Sequence, residues 1–495
     1  MDDAAAPGGS GDPATPSLRG GSGRGEPVFA SYQPAVQWLT DRVNYERIRP
    51  NRVDPKVFKL DRMRVLLAEL GDPHRAFRSV HVAGSKGKGS VVEMAASMLG
   101  ACGYTTGVYT SPHLVDLRER IRIGRDMIPY AAFAEIMGRC KRAADAMPRE
   151  MVEEGGEATF FELMTCAAFC WFAEQAVDIA VVEVGLGGRL DCTNVLTPEV
   201  CGLTEIQLEH TQILGDTVEA IAAEKAGIMK PGIEAISVPQ REEVLEVFRR
   251  RAAEAGATLS VLGRDIDFTQ RFEASPDLGP HARVSVTSER SAYEHLPVPL
   301  KGEHQAHNCG LALALLDRLR ARGFALPERD VARGLAATPI TGRLEQVWDR
   351  PRIFVDGAHT AESIAALVRA AGAHLRYDSM VCVFGCAADK NIDGMLDEVG
   401  RGADKIIFTK SLSNPRACDP HELERRFGDE RGKMAQVVPD LKDAINTAAR
   451  AVGRDDIILI TGSFYLAGDA KKLLQNQQKK QERAARRATE EAAGV

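Results

Sequence analysis

Residues 78–90 constrain the fold of this chain more than any other stretch. They begin with a short, apolar, β-prone run, and glycines follow at 84, 87 and 89. Residues 91–99, which come next, have the composition of a helix. A strand, a glycine-rich turn and a helix in this order form a phosphate-binding loop, because backbone N–H groups and the helix N-terminus both attract an anion. The stretch therefore predicts an α/β domain that binds a nucleotide.

Two side chains of this loop are suited to ATP. Lys88 can reach the terminal phosphates, and the hydroxyl of Ser90 can meet a magnesium ion. The common pattern places these two residue types side by side, whereas Gly89 separates them here. The alternative is a surface turn in which Lys86 and Lys88 are solvated, but the strand before the turn and the helix after it favour a phosphate loop.

Length and composition exclude several classes of protein. A chain of 495 residues is too long for one ordinary core, so we expect two or three domains. A net charge of −6 gives no electrostatic basis for binding nucleic acid or an anionic membrane. Ten cysteines are too sparse for a disulfide framework. The Cys166/Cys170 and Cys382/Cys386 pairs lie in apolar runs and are interpreted as buried thiols rather than metal ligands.

The two ends of the chain differ from its middle. Residues 1–30 are largely Ala, Gly, Ser and Pro without the apolar segment of a secretory signal, and they predict a disordered extension. Residues 471–495 predict a charged, solvated helical tail. No uncharged apolar run reaches the roughly 18 residues that a membrane span needs. We expect a cytoplasmic protein, in keeping with its sparse cysteines.

A domain boundary is predicted at residues 337–343. Beyond them, short apolar strands again alternate with helices. The first of these strands ends in Asp356-Gly357-Ala358-His359, and the carboxyl ends of parallel strands are where open α/β sheets bind ligands. We therefore predict two doubly wound α/β domains, which are an N-terminal P-loop ATPase domain over 31–337 and a smaller Rossmann-like domain over 338–470.

Glu183 is a second candidate site residue. It lies near the end of the β-branched run 178–184, and a glycine-rich run follows it. A buried carboxylate is costly unless it is paired or bound to a metal. The two open interpretations are a metal ligand and a structural ion pair with Arg189.

Nine runs occur along the chain in a characteristic order. They are LGDPHRAFRSVHVAGSKGKGS (70–90), YTSPHL (109–114), ERIRI (119–123), VEVGLGGRLDCTN (182–194), HTQILGDT (210–217), EKAGIMKPG (224–232), GEHQAHN (302–308), TGR (341–343) and DGAH (356–359). Together they resemble the folylpolyglutamate synthase/dihydrofolate synthase family of the Mur ligase superfamily. The fourth run separates this family from cell-wall ligases. The resemblance extends over residues 35–468 and implies a Mur-type ATP-binding domain followed by a glutamate ligase domain.

The resemblance implies an ATP-dependent ligase. Such enzymes convert a carboxylate to an acyl phosphate, which the amine of L-glutamate then attacks. The expected partners are ATP, L-glutamate and either dihydropteroate or a reduced folate, with two Mg²⁺ ions as cofactors and a monomer as the family default. Dihydrofolate synthesis, extension of the glutamate tail and both together remain open. The rival interpretations are another Mur-type amide ligase with a non-folate acceptor, and a nucleotide-binding regulator without catalysis.

The resemblance also assigns residues to roles. ATP would be bound by Gly84, Ser85, Lys86, Gly87, Lys88, Gly89, Ser90, Asn308, Arg343 and Asp356. Magnesium would be bound by Ser111, Glu183 and His210, and by Lys225 if it is carbamylated. The catalytic residues would be Lys88, His210 and Lys225, and the substrate would meet Pro112, His113, Arg189, Asp191 and His359. In these roles Lys88 remains the phosphate contact. The serine hydroxyl expected to bind magnesium is now that of Ser111 rather than that of Ser90.

Three positions depart from the family pattern. Ser85-Lys86 stands where Thr-Asn is usual, Glu209 replaces the Asp before the metal-site histidine, and Thr360 replaces an Asn. The first adds a cation beside the phosphates, and the last puts one ligand contact in doubt.

Several side chains keep two interpretations. Lys225 is either an ordinary lysine at a helix end or a carbamylated metal ligand. His113 and His359 either contact a ligand or cap a turn. The arginines of two loops either meet the carboxylates of a folate tail or are solvated; they are Arg47, Arg49, Arg52, Arg118, Arg120 and Arg122.

Overall fold

A computed structural model describes residues 27–45, 59–428 and 434–492, with side chains up to residue 485. Most of the predicted N-terminal extension therefore lies outside the described residues, as do the arginines at 47, 49 and 52.

An eight-stranded sheet forms the centre of the large domain. Its strands are β1 (Arg78–Ala83), β2 (Thr106–Tyr109), β3 (Ile121–Ile123), β4 (Asp126–Met127), β5 (Ile179–Glu183), β6 (Val200–Leu203), β7 (Glu234–Ser237) and β8 (Thr258–Val261). Their order is β4-β3-β2-β5-β1-β6-β7-β8, and the six from β2 to β8 are parallel. Every residue of β5 and β6 is buried, as expected for parallel strands that helices cover on both faces.

Helices cover both faces of this sheet. They are α1 (Tyr32–Thr40), α2 (Leu60–Glu69), α3 (Lys88–Ala101), α4 (Tyr130–Asp145), α5 (Arg149–Gly155), α6 (Phe160–Glu174), α7 (Thr211–Leu214), α8 (Val218–Ala226), α9 (Glu242–Ala255), α10 (His304–Ala321) and α11 (Glu328–Ala336). Helices α3, α10 and α11 bury apolar side chains on one face, and α1, α2, α4 and α6 do so on the other. A separate antiparallel sheet packs on α10; its strands are β9 (Asp267–Ser275), β10 (Gly279–Thr287) and β11 (Ala292–Pro297).

The small domain contains a six-stranded sheet. Its strands are β12 (Glu345–Trp348), β13 (Arg352–Val355), β14 (Met380–Phe384), β15 (Lys405–Phe408), β16 (Met434–Val437) and β17 (Ile457–Thr461). Its helices are α12 (Ala361–His374), α13 (Ile392–Gly402), α14 (Pro420–Phe427), α15 (Leu441–Ala451) and α16 (Phe464–Ala492). The strand order is β12-β13-β17-β14-β15-β16, and only β12 is antiparallel to its neighbour within this sheet. The two doubly wound sheets confirm the predicted fold class.

The structure differs from the sequence-based elements in two places. Charged and apolar residues alternate over 118–123, which predicts a half-exposed strand. Only Ile121–Ile123 forms one, because Asp116 and Glu119 form a capping box that makes Leu117–Arg120 a 3₁₀ turn. The predicted tail begins inside α16, whose first turns are packed: Leu466, Ala467 and Ala470 are fully buried.

All ten cysteines are free, and nine are buried, as predicted for core thiols. Among the described helices, none is both long and apolar enough to cross a bilayer.

Candidate active site

A cavity of about 1470 Å³ lies between the two domains. Its wall comprises the phosphate loop, the segments after β2 and β5, the start of α10, and the segment after β13 together with α12. All these strand-end segments sit at the carboxyl ends of parallel strands, where the local topology leaves room for ligands. A volume above the usual range of about 300–1,000 Å³ for one small ligand allows more than one substrate to be held at once.

The phosphate loop connects β1 to α3. A Cβ atom at Gly89 would lie 2.6 Å from Arg343 Nη2 and 3.3 Å from Glu183 Oε2, so both side chains lie against this position. The loop thus brings a guanidinium from the domain junction and a carboxylate from β5 together. Lys88 Nζ folds back to donate hydrogen bonds to the carbonyl oxygens of Gly84 (3.0 Å) and Ser85 (3.4 Å).

Glu183 is buried at the end of β5, with 5% of its surface exposed. Its Oε2 accepts one hydrogen bond, from the Ser111 N–H at 3.1 Å. Burial raises the pKa of Glu183, although Lys88 and the Ser111 N–H oppose the shift. The ion-pair interpretation is wrong, because Arg189 pairs with Glu224 at 2.8 Å instead.

Lys225 lies in the last turn of α8 and is 4% exposed. Among the described residues it has no hydrogen-bond or ion-pair partner. Burial lowers its pKa to about 7, and the nearby Lys88 ammonium adds to the shift. An amine in this environment is largely neutral near physiological pH, which is the form that reacts with CO₂.

A charged network crosses the cleft from the phosphate loop to the small domain. Lys86 Nζ lies 2.8 Å from Glu209 Oε1, and His359 Nε2 lies 3.4 Å from the same oxygen. Burial opposes ionisation of Glu209, but the Lys86 ammonium outweighs it and holds the pKa of this carboxyl well below its ordinary value. His359 Nδ1 is 2.8 Å from the Gly357 carbonyl oxygen, which makes it the proton-bearing nitrogen in the neutral ring.

Two aspartates hold the turns that form the wall. Asp191 accepts hydrogen bonds from the N–H groups of Leu186 (2.8 Å) and Thr193 (3.0 Å), which closes the glycine-rich run after β5. Asp356 accepts from the N–H groups of Leu344 (2.7 Å) and Ala358 (2.8 Å). Burial raises the pKa of Asp356 to about 6, against the effect of these bonds and of Arg343.

The structure brings most of the predicted site residues to one wall. Those that line the cavity are Ser85, Lys86, Gly87, Lys88, Gly89, Ser90, Ser111, Pro112, Glu183, Asp191, His210, Lys225, Asn308, Arg343, Asp356 and His359. Gly84, His113 and Arg189 are not on it. His113 Nδ1 accepts a hydrogen bond from Arg120 Nε at 2.9 Å, so in the neutral ring its proton is on Nε2.

All three arginines after β2 are satisfied within the fold. Arg120 is 1% exposed, donates a hydrogen bond to His113 and lies 5.3 Å from the centre of the Phe160 ring. Arg118 pairs with Asp116 at 2.8 Å and lies 3.5 Å from the centre of the Tyr130 ring. Arg122 pairs with Glu93.

Further polar residues of the small domain line the cavity and were not predicted, among them Asp389, Lys390, Asn414 and Arg416. Asp389 pairs with Arg416 at 2.9 Å, which joins the segments after β14 and β15. Burial lowers the pKa of Lys390, against the effect of Glu209. The signal was present in the sequence, because polar residues after two neighbouring parallel strands meet at the same edge of a sheet.

The chain was compared with known proteins. It matches the Mur ligase middle domain over residues 82–316 and the Mur ligase glutamate ligase domain over 342–464. It is 33% identical over 456 residues to the dihydrofolate synthase/folylpolyglutamate synthase of Bacillus subtilis (strain 168), a match that spans 90% of this chain and 100% of that relative. The chain belongs to the folylpolyglutamate synthase/dihydrofolate synthase family.

Solved structures of this family agree with the assignment. Mycobacterium tuberculosis folylpolyglutamate synthase complexed with ADP superposes with a TM-score of 0.79 at 32% identity, over 90% of this chain and 98% of that one. E. coli FolC in complex with DHPP and ADP gives a TM-score of 0.75 at 27% identity, over 90% and 98%. The chain is therefore an ATP-dependent ligase of the folylpolyglutamate synthase/dihydrofolate synthase family.

The donor set beside the phosphate loop fits Mg²⁺. Glu183 is a buried carboxylate without a cationic partner among the described residues, and Ser90 Oγ is buried there without a hydrogen-bond partner. The surrounding cleft desolvates His210 and lowers its pKa, although the side chain is 40% exposed, and a neutral imidazole is the form that binds a metal. The described residues contain no group of three His, Cys, Asp or Glu placed for a metal. Such a site suits an ion that completes its shell with hydroxyl, water and phosphate oxygens.

Proposed function

We propose that this ligase adds L-glutamate to the carboxylate of dihydropteroate, of a reduced folate, or of both, in the cavity between its domains. The supporting observation is that one continuous wall joins a phosphate loop of the large domain to polar strand-end segments of the small domain. A carboxylate, the γ-phosphate and an amine can meet there, and effective concentration in such a site supplies much of the rate enhancement.

The phosphates of ATP would lie on the backbone N–H groups of residues 84–90 and the N-terminus of α3. Lys88 would leave the Gly84 and Ser85 carbonyl oxygens and contact the β- and γ-phosphates. Asn308 and Arg343 would add contacts from the start of α10 and from the domain junction. The acceptor carboxylate attacks the γ-phosphorus, ADP leaves, and an acyl phosphate forms. The amine of glutamate then attacks the acyl carbon and expels phosphate.

Glu183, His210 and the hydroxyl of Ser111 or Ser90 would hold the first Mg²⁺. When bound, the metal offsets the negative charge between the acceptor carboxylate and the γ-phosphate. We propose that Lys225 is carbamylated and provides the ligand of a second ion. Its buried, unpaired and partly neutral amine supports this role.

The acceptor would lie along Pro112 and the glycine-rich run closed by Asp191, and glutamate would lie against the small domain. His359 and Asp356 face the cleft from the turn after β13, and Lys390 and Arg416 add cationic groups from the next strands. Cationic side chains at that end suit the two carboxylates of glutamate. We also propose a cytoplasmic monomer with its domains divided at residues 337–338, in agreement with the ranges of the two Mur ligase matches.

The test is release of ADP by purified full-length enzyme with glutamate plus dihydropteroate, or plus tetrahydrofolate. We expect at least one acceptor to stimulate turnover, and Lys88→Ala to lower it by about 10²–10³ because one charge-assisted phosphate contact is lost. Lys141→Ala, which removes an exposed lysine paired with Asp145, serves as the matched control. If neither acceptor stimulates turnover, the acceptor is not a folate. If ATP binds without turnover under any of these conditions, the regulator interpretation is favoured.

A further inference from the structure

The segment after β2, residues 111–116, spans from the catalytic cleft to the core of the small domain. Ser111 lines the cavity at one end. At the other end, Leu114 is 8% exposed and belongs to an apolar cluster whose other buried members all lie between residues 353 and 474. They include Ile353, Val355, Leu466, Ala467 and Leu474. A side chain of the large domain is therefore part of the small domain's core.

Two glycines of the small domain leave room for this side chain and its carbonyl group. A Cβ atom at Gly342 would lie 3.2 Å from Leu114 Cδ2. A Cβ atom at Gly468, in α16, would overlap the carbonyl oxygen of Leu114 and lie 2.9 Å from its carbonyl carbon. Neighbouring Val115 packs against the same cluster. The contact is close enough that the segment and α16 cannot move independently without opening a gap in the core.

The segment is also held firmly within the large domain. The Glu119 carboxylate accepts hydrogen bonds from the N–H groups of Leu114 (2.8 Å), Val115 (3.0 Å) and Asp116 (2.9 Å). At the start of the segment, the Ser111 N–H donates to Glu183 Oε2 at 3.1 Å. The carboxylates of Glu183 and Glu119 thus fix the two ends of the segment. A displacement of Leu114 should therefore also displace Ser111.

We propose that Leu114 is a positioning residue, which fixes the orientation of the small domain relative to Ser111 and Glu183 by inserting into the small-domain core. This inference rests on the proposed function, in which the small domain brings glutamate to a carboxylate activated beside Ser111. The physical basis is that an error of about 1 Å in the placement of reacting groups lowers rates by about 10².

The test compares two leucine-to-alanine substitutions in one apolar cluster of the full-length enzyme. Leu114→Ala removes the inserted side chain, and Leu474→Ala is the matched control, since it deletes a buried leucine of the same cluster that belongs to the small domain itself. Thermal melts establish that both variants fold. Steady-state kinetics and small-angle X-ray scattering are then measured on each.

We expect Leu114→Ala to lower kcat at least tenfold and to broaden the scattering-derived distance distribution. Leu474→Ala should stay within threefold of the unsubstituted enzyme in kcat and keep its scattering profile. Leu114→Met, which nearly preserves volume, should restore both properties. Two outcomes would overturn the proposal: equal losses of kcat in the two alanine variants, or a loss in Leu114→Ala with an unchanged scattering profile.

A second substitution keeps the test decisive if Leu114→Ala does not fold. Gly468→Ala places a methyl group against the Leu114 carbonyl and should reproduce both the loss of kcat and the altered scattering. Gly372→Ala is its control, because a Cβ atom there meets nothing within 4 Å. If the unsubstituted enzyme fails to ligate glutamate, the proposed function fails, but the scattering comparison still decides whether Leu114 fixes the domains.

Discussion

Lys86 and Glu209 form an ion pair with 2.8 Å between Nζ and Oε1, and these are two of the three positions where the chain departs from its family's usual residues. The cation that the chain carries on the phosphate loop therefore meets the carboxylate that precedes His210. His359 of the small domain lies 3.4 Å from the same oxygen. The two departures thus contribute to a contact that crosses the domain junction.

Breaking this pair should weaken both the fold and the reaction. Lys86→Asn leaves the Glu209 carboxylate, whose side chain is 10% exposed, without its lysine partner. An uncompensated charge in such a position costs about 1–3 kcal/mol in the free energy of unfolding. Urea denaturation of the single variants Lys86→Asn and Glu209→Asp and of the double variant measures the coupling. We expect the double variant to be more stable than the sum of the single changes predicts. Strict additivity would contradict the pairing.

The pKa of Lys225 gives a prediction about bicarbonate. With a pKa of about 7, the amine is mostly protonated at pH 6 and mostly neutral at pH 8, and only the neutral form adds CO₂. Enzyme freed of CO₂ should therefore regain activity on addition of bicarbonate faster and more fully at pH 8 than at pH 6. Native mass spectrometry should show the added mass of one CO₂. An active enzyme with an unmodified Lys225 would contradict the carbamate.

The same shift has a consequence for stability. Because burial lowers the pKa of Lys225 in the folded state, the unfolded chain binds more protons between about pH 7 and the ordinary lysine value of about 10.4. The contribution of Lys225 to the free energy of unfolding of CO₂-free enzyme therefore rises with pH across this window. Lys225→Met should remove that rise and abolish activity. An identical pH dependence in both proteins would show that Lys225 is not buried.

Gly188 is predicted to be intolerant of any side chain. A Cβ atom there would lie 2.7 Å from the Glu224 carbonyl oxygen and 2.8 Å from that of Lys225. Both neighbours are backbone, so Gly188→Ala must separate the glycine-rich run from α8. Overpacking of this kind costs about 1–3 kcal/mol, and a comparable displacement of Lys225 should lower kcat at least tenfold. Gly100→Ala is the control, because a Cβ atom there meets nothing within 4 Å. Equal behaviour of the two variants in denaturation and kinetics would contradict the close approach.

Thr360, the third departure, caps α12 in the structure. Its Oγ1 accepts from the Ser363 N–H at 3.3 Å, and Ser363 Oγ accepts from the Thr360 N–H at 2.9 Å. Thr360→Ala should cost about 1 kcal/mol of unfolding free energy, whereas Thr360→Asn, the family's usual residue, should be nearly neutral since Asn also caps helices well. Denaturant titration distinguishes the two. A neutral Thr360→Ala would show that the cap contributes nothing.

The sequence was sufficient to predict those features that depend on the pattern of residues within a short run. The run 178–184 predicted a buried parallel strand, and the glycines before Lys88 predicted a phosphate loop, because strand burial and tight turns leave signatures within a few residues. The edge strand β12 was missed, since Glu-Gln-Val-Trp is too short to show alternation. The ion pair of Lys86 with Glu209 was also missed, because 123 positions separate the partners and only the assembled sheet brings them together.

The insertion of Leu114 into the small domain could not be predicted from the sequence either, because its partners lie far away along the chain. Nothing in the run YTSPHL indicates which domain buries its leucine. Arg118 and Arg122 show the converse case, in which a charge-rich segment that suggested ligand binding is satisfied by its own neighbours.

Transfer of oxygen from the acceptor to phosphate tests the account most directly. Dihydropteroate and tetrahydrofolate, each labelled with ¹⁸O in the reacting carboxylate, are incubated with enzyme, ATP, Mg²⁺ and glutamate, and the products are analysed by mass spectrometry. Every molecule of glutamylated product should be accompanied by one phosphate that contains one ¹⁸O atom, because the bridging carboxylate oxygen of the acyl phosphate leaves with phosphate when the amine attacks. Unlabelled phosphate alongside glutamylated product, or ATP cleavage without such product, would contradict it.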